Sequence, residues 1–182
     1  MRLSHDPQAL RKLIVISIFA ALATVLGILE TLIPLAVTIP GAKLGLGNIL
    51  VLTCLWLFGG KDALWLIVIK TLLTAFLLGS FSTFLFSILG ALGSFVIMFV
   101  MLRYARDEFS LISVSILGGV GHNLGQLTAA SIVLGTTRIY YYLPFLLVAG
   151  VVTGIFVGLA AKHLIASLER LRVFEGLKPT GR

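Results

Sequence analysis

Apolar residues run along this chain in long blocks, broken by short clusters of glycine, proline and charge. A helix that crosses a bilayer needs about 20 predominantly apolar residues. Six blocks are read as such helices, over roughly 12–33, 44–58, 63–78, 81–103, 110–134 and 141–168. Pro34 stops the first, and a loop over 34–43 contains Pro34 and Pro40. The second block is short and is entered through Gly45 and Gly47. Gly59, Gly60, Lys61 and Asp62 read as a tight turn. Residues 104–109 (YARDEF) form the one strongly polar internal loop, and 135–140 form a short one. Ala21-Leu22-Ala23 resembles a signal-peptide cleavage site, but the apolar block continues to Leu29. It is therefore read as the first transmembrane helix. The expected architecture is an all-α integral membrane protein: a six-helix transmembrane bundle in a single domain over 1–182. A short N-terminal segment, 1–11, and a polar tail, 169–182, flank it.

Composition strengthens this picture. The chain is 59% hydrophobic and 12% charged, with a mean hydropathy of +1.12. Soluble domains are about 45–50% apolar and about 25% charged. The net charge of +7 is no nucleic-acid footprint, because the basic residues sit at segment ends. With six spans both termini share a side, and that side collects eleven basic residues, from Arg2 to Arg182. Lys43 and Arg138 fall on the other side. Charge asymmetry of this kind predicts a multi-pass cell-membrane protein with both termini cytoplasmic. Cys54 is a lone cysteine inside an apolar run, read as a small buried residue and not as a metal ligand.

Small residues recur at four-residue spacing on several helices. Gly150, Gly154 and Gly158 do so on the sixth, Gly121 and Gly125 on the fifth, and Gly90 and Ser94 on the fourth. Such ridges let helix backbones approach closely in lipid, so these three are expected to pack the bundle internally. On the first helix, Ser17 with Ala21 and Ala20 with Thr24 make similar stripes. Docking to a partner subunit is weighed there against internal packing.

Lys70 is the most informative position. It stands in the middle of the run ALWLIVIKTLLTAFLL, with no acidic residue nearby in sequence. A lone ammonium at bilayer depth costs roughly 2.5–3.5 kcal/mol on insertion scales. It is expected to face a protein interior or a wet cavity and to meet an anionic or polar partner. His122 and Gln126, with Asn123 between them, place donors and acceptors inside the fifth helix. They fit an interhelical hydrogen-bond network or a ligand site, and less well a proton relay, for which no in-span acid is near. At 1.5 Å per residue, Lys70 lies roughly 13 Å in from the cytoplasmic side, His122 about 18 Å and Glu30 about 27 Å. Lys43 and Asn48 descend from the outer side. These groups are expected to line one outward-facing cavity beneath the 34–43 loop, which would act as a lid. Glu30 is alternatively a solvated interfacial carboxylate. A Glu30–Lys70 ion pair is disfavoured by a depth difference of about 14 Å.

Several chemistries lack residues. There is no Walker A sequence, no HExxH and no cysteine cluster. Asp6, Asp62 and Asp107 are isolated, whereas prenyl-diphosphate synthesis needs clustered carboxylates to hold magnesium. No acid stands near His122 in sequence to orient it for hydrolysis. The chain is read as no enzyme, with no cofactor and no metal.

Three stretches carry a resemblance: Ile39-Pro40-Gly41-Ala42-Lys43-Leu44-Gly45-Leu46-Gly47-Asn48, the stretch from Gly79 to Ser94, and Gly121-His122-Asn123-Leu124-Gly125-Gln126. With the six-helix pattern they resemble the Gx transporter family, often labelled heptaprenyl diphosphate synthase component I. More broadly they resemble the substrate-binding S components of energy-coupling-factor (ECF) transporters. The resemblance implies capture of a small molecule from outside, with a separate transmembrane coupling subunit and ATPase subunits as partners. The first-helix Ala-x-x-x-Ala motif of S components is met here only by the small-residue equivalents Ser17/Ala21 and Ala20/Thr24. The expected cargo is a small anion: a vitamin, a flavin or an isoprenoid diphosphate. Lys70 would be its anchor, with His122, Asn123, Gln126, Asn48, Lys43 and Glu30 around it. The alternative is a scaffold or accessory subunit of an isoprenoid- or redox-related complex, in which Lys70 and His122 are structural. A membrane enzyme acting on a lipid diphosphate is the weakest reading.

Overall fold

The computed structural model describes residues 7–31, 43–105 and 108–171. Six α-helices form: α1 (Pro7–Thr31), α2 (Asn48–Leu57), α3 (Gly60–Leu78), α4 (Phe81–Tyr104), α5 (Leu111–Leu134) and α6 (Leu143–Arg170). A 3₁₀ turn, Thr137–Tyr142, replaces the short loop expected before α6. Helix ends follow local chemistry. Gly79 and Gly135 adopt left-handed φ values of 63° and 64° and close α3 and α5. Ser80 and Ser110 then cap α4 and α5 by accepting from the amides of Thr83 and Ser113.

Among the described residues, three helices are long and apolar enough to cross a membrane: Gln8–Glu30, Phe81–Tyr104 and Thr137–Arg170. The expected six helices are present, and spanning length and composition are met by these three. α3 has 19 residues, but they include Lys61, Asp62 and Lys70. α5 has 24 residues, but its centre carries His122, Asn123 and Gln126. α2 has only 10 residues, about 15 Å, half the depth of a hydrocarbon core. Residues 43–47 ahead of it are non-helical, because Gly45 turns with φ +82°. Irregular backbone is tolerated at membrane depth only where protein or a cavity covers it. Here Gly45 and Gly47 are buried.

α4, α5 and α6 pack through the glycine ridges. An added Cβ at Gly119 would lie 2.5 Å from the Gly150 carbonyl oxygen, and one at Gly154 would lie 2.6 Å from Ile116 Cα. Gly93 and Gly121 face one another in the same way across α4 and α5. The internal-packing reading of these ridges therefore holds. α1 runs parallel to α3. Lys12 pairs with Asp62 at 2.6 Å near their starts, and Gly27 sits beside Thr74 near their ends.

The bundle is apolar outside and polar at selected points inside. Leu13, Ile18, Leu22, Val25 and Leu29 make an exposed apolar face on α1. Glu30, Asn48, His122, Asn123 and Gln126 are buried. A water-soluble fold distributes these residues the other way.

Candidate functional site

The buried polar residues converge at the place where segment 43–47 meets α1, α3, α4 and α5. A cavity of about 30 Å³ is lined there by Glu30, Lys43, Lys70, Thr74, Ser87 and His122. That is room for a water or two and no more. Each lining group arrives by an identifiable route. Lys70 projects from the middle of α3, and its Nζ comes close to Gly47, where a Cβ would lie 3.2 Å away. Glu30, on the last turn of α1, accepts a hydrogen bond from the Leu46 amide, and the Gly47 amide also points at it. Lys43 donates to Ser87 Oγ at 2.9 Å. Burial lowers the pKa of Lys43 from its ordinary value, and the Glu30 charge acts in the opposite direction.

The depth arithmetic for Glu30 and Lys70 needs correction. The α1–α3 register sets Lys70 level with Ala23, since Gly27 sits beside Thr74, four residues further along each helix. Glu30 lies seven residues beyond Ala23, about 10 Å. Segment 43–47 fills that gap and touches both groups. They line one cavity and act on each other electrostatically. The direct ion pair among the described residues is nevertheless Lys12–Asp62.

His122 is 5% exposed and is bonded through both ring nitrogens. Gln126 Oε1 accepts from the Lys43 amide at 3.2 Å. Its Nε2 therefore faces His122 Nε2, at 3.0 Å. A neutral imidazole has one acceptor nitrogen, so this contact puts the ring proton on Nδ1. Nδ1 meets the Asn48 carboxamide at 3.3 Å. The far end of that carboxamide is buried without a partner.

Not every expected residue lines the cavity. Asn48 and Gln126 stand behind His122 and hold it. Asn123 faces away and donates to the Leu146 carbonyl at 2.5 Å, tying α5 to α6. The first-helix stripes split. Ala20 and Thr24 are buried, with Thr24 Oγ1 donating to the Ala20 carbonyl at 2.8 Å. Only Ser17 and Ala21 remain on the outer face. Apart from Lys43, the 34–43 lid lies outside the described residues. Thr71, Thr74 and Ser87 line the cavity without having stood out in the sequence. Thr71 and Thr74 follow Lys70 at one and four residues, and the spacing of four was the usable signal.

The network behind His122 gives a stability prediction. Gln126→Leu removes the partner of His122 Nε2 and leaves the Lys43 amide unsatisfied. The expected loss is about 1–3 kcal/mol, read as a lowered thermal midpoint in detergent. An unchanged midpoint would show that the network contributes nothing to the fold.

An apolar exterior, three helices of spanning length and a buried, charged cavity fit a polytopic membrane protein. The family described as heptaprenyl diphosphate synthase component I matches residues 19–164. The chain belongs to that family and is a membrane protein of the Gx transporter kind. The family's name describes a component of a synthase, which by itself assigns no catalytic activity to the chain. No curated protein and no solved structure matches the chain. Among the described residues, no group of three histidine, cysteine, aspartate or glutamate side chains is placed to hold a metal ion.

Proposed function

We propose that the protein is the substrate-binding membrane subunit of an ECF-type importer and that its cargo is a small anion. The observation that carries this is charge. Two lysines and one glutamate surround the cavity, which leaves one formal positive charge unmatched inside an apolar bundle. An isolated buried charge is strongly disfavoured unless something pairs with it. An incoming carboxylate or phosphate supplies that pairing. Lys70 and Lys43 anchor it, Ser87, whose hydroxyl accepts from Lys43, keeps its proton to donate, and the His122 ring, with both nitrogens engaged, closes the wall. The 30 Å³ volume belongs to a closed site, so loading requires segment 43–47 to move.

The chain carries no nucleotide-binding loop, so ATP hydrolysis falls to separate ATPase subunits, coupled through a transmembrane subunit. Ser17 and Ala21 on the exposed face of α1 suit close approach by such a partner. We read the chain as non-catalytic, because the cavity holds one carboxylate and no acid orients His122.

The test is mass spectrometry of small molecules released from detergent-purified protein, wild type beside Lys70→Ala. An anionic compound is expected in the wild type and should fall about 10- to 100-fold in the variant, as loss of a charged hydrogen bond predicts. Equal retention in both, with a lower thermal midpoint for Lys70→Ala, would make Lys70 structural and favour an accessory subunit.

A further inference from the structure

We infer that the cargo is an anion whose body carries hydrogen-bonding groups, and not an isoprenoid diphosphate. This rests on the anion-binding reading above and deepens it. A second cavity, of about 10 Å³, lies between α2, α4, α5 and α6 and is bordered by Asn48, Ser94, Ser115 and Thr153. Among the described residues, two buried side-chain polar atoms lack any partner. They are the far end of the Asn48 carboxamide and the Ser115 hydroxyl. These residues are 4% and 2% exposed, and both border this cavity. Buried polar groups without partners are rare in native folds. Two of them on one cavity mark a place built for something that completes them.

The other hydroxyls there are weakly engaged. Thr153 donates to the Gly150 carbonyl at 3.3 Å and keeps free lone pairs, while Ser94 reaches only Met98 Sδ, at 3.8 Å. No carboxylate borders the cavity, so a cation is not its occupant. At its present size it holds at most one water. Gly45 borders both cavities. It stands between them beside the bonded Asn48–His122 pair, which borders one cavity on each side. When segment 43–47 moves, the two cavities join into one slot. One end carries two ammonium groups, and the other carries neutral donors and acceptors. A prenyl chain in that slot would cover Asn48 and Ser115 and satisfy neither. A heterocyclic or hydroxylated body would bond to both.

The experiment incubates purified full-length protein with a small-molecule extract of bacterial cells to which farnesyl diphosphate has been added. Retained compounds are released after washing and identified by mass spectrometry. Wild type, Lys70→Ala and Ser115→Ala/Thr153→Val are run side by side, with thermal midpoints recorded. The expected result is a polar anion on the wild type and about tenfold less of it on Ser115→Ala/Thr153→Val at an unchanged midpoint. If that double variant fails to fold, Ser115→Ala alone carries the comparison, since its hydroxyl bonds to nothing in the closed state. Preferential retention of farnesyl diphosphate overturns the inference. So does a polar anion held equally by the Ser115 and Thr153 variants. A wild type that retains nothing, or no more than Lys70→Ala, overturns the anion-binding reading itself, and this inference with it.

Discussion

Glu30→Ala is expected to destabilise the folded protein by about 1–3 kcal/mol, the cost of leaving a buried donor without its acceptor, with loss of a buried charge adding to it. Two losses combine. The carboxylate is 6% exposed and accepts from the Leu46 amide. Without it the amides of Leu46 and Gly47 face a buried space with no acceptor. Lys43 and Lys70 also lose the negative charge that acts on both. Glu30→Gln separates these contributions, because the amide oxygen still accepts from Leu46 but carries no charge. It should fall between wild type and Glu30→Ala. Adding Lys70→Met to Glu30→Ala removes one of the stranded ammonium groups and should recover part of the loss, with a coupling of about 1–3 kcal/mol. Denaturation of the detergent-solubilised wild type, the two Glu30 variants, Lys70→Met and the double variant measures these, with Lys70→Met alone closing the cycle. A Glu30→Gln variant as stable as wild type would mean that Glu30 only tethers the loop and that its charge is idle.

The sequence makes some of this site conspicuous and hides the rest for definable reasons. Lys70 stands out because charge within an apolar block is expensive, and expense marks function or pairing. His122 and Gln126 stand out because spacing of four places them on one face. Lys43 and Glu30 are visible as charged residues at helix edges. That Glu30 meets the 43–47 backbone is not visible, since it depends on how far the segment dips into the bundle. Depth arithmetic assumes straight helices that start level, and the α1–α3 register removes part of the difference it gives. Asn123 shares the polar cluster with His122 in sequence, but a 100° step turns it toward α6. Sequence spacing likewise treats Ala20/Thr24 and Ser17/Ala21 as equivalent stripes, and only the neighbouring helices decide which is buried. Ser115 and Thr153 are ordinary residues in apolar helices. They gain meaning only once an empty space is seen between them.

Gly154→Leu is expected to eliminate the folded monomer altogether. At this position a Cβ already meets Ile116 Cα at 2.6 Å and the Ser115 carbonyl oxygen at 3.0 Å. Both are backbone atoms, so no rotamer change relieves the clash and α5 must separate from α6. Overpacking in a core typically costs about 1–3 kcal/mol when side chains can yield. Here they cannot, and the whole seam is at stake. Separation also breaks the Asn123 bond to Leu146 and opens the second cavity, whose walls include Ser115 and Thr153. Gly27→Ala is the opposing control. Its added methyl would sit 3.8 Å from Thr74 Oγ1, an ordinary contact, in the interior of α1 where alanine is favoured over glycine by about 1 kcal/mol. That variant should match or exceed wild-type stability. Size-exclusion chromatography and thermal midpoints in detergent read both. A well-folded Gly154→Leu would mean that α5 and α6 do not meet through this ridge, which would remove one wall of the proposed hydrogen-bonding subsite.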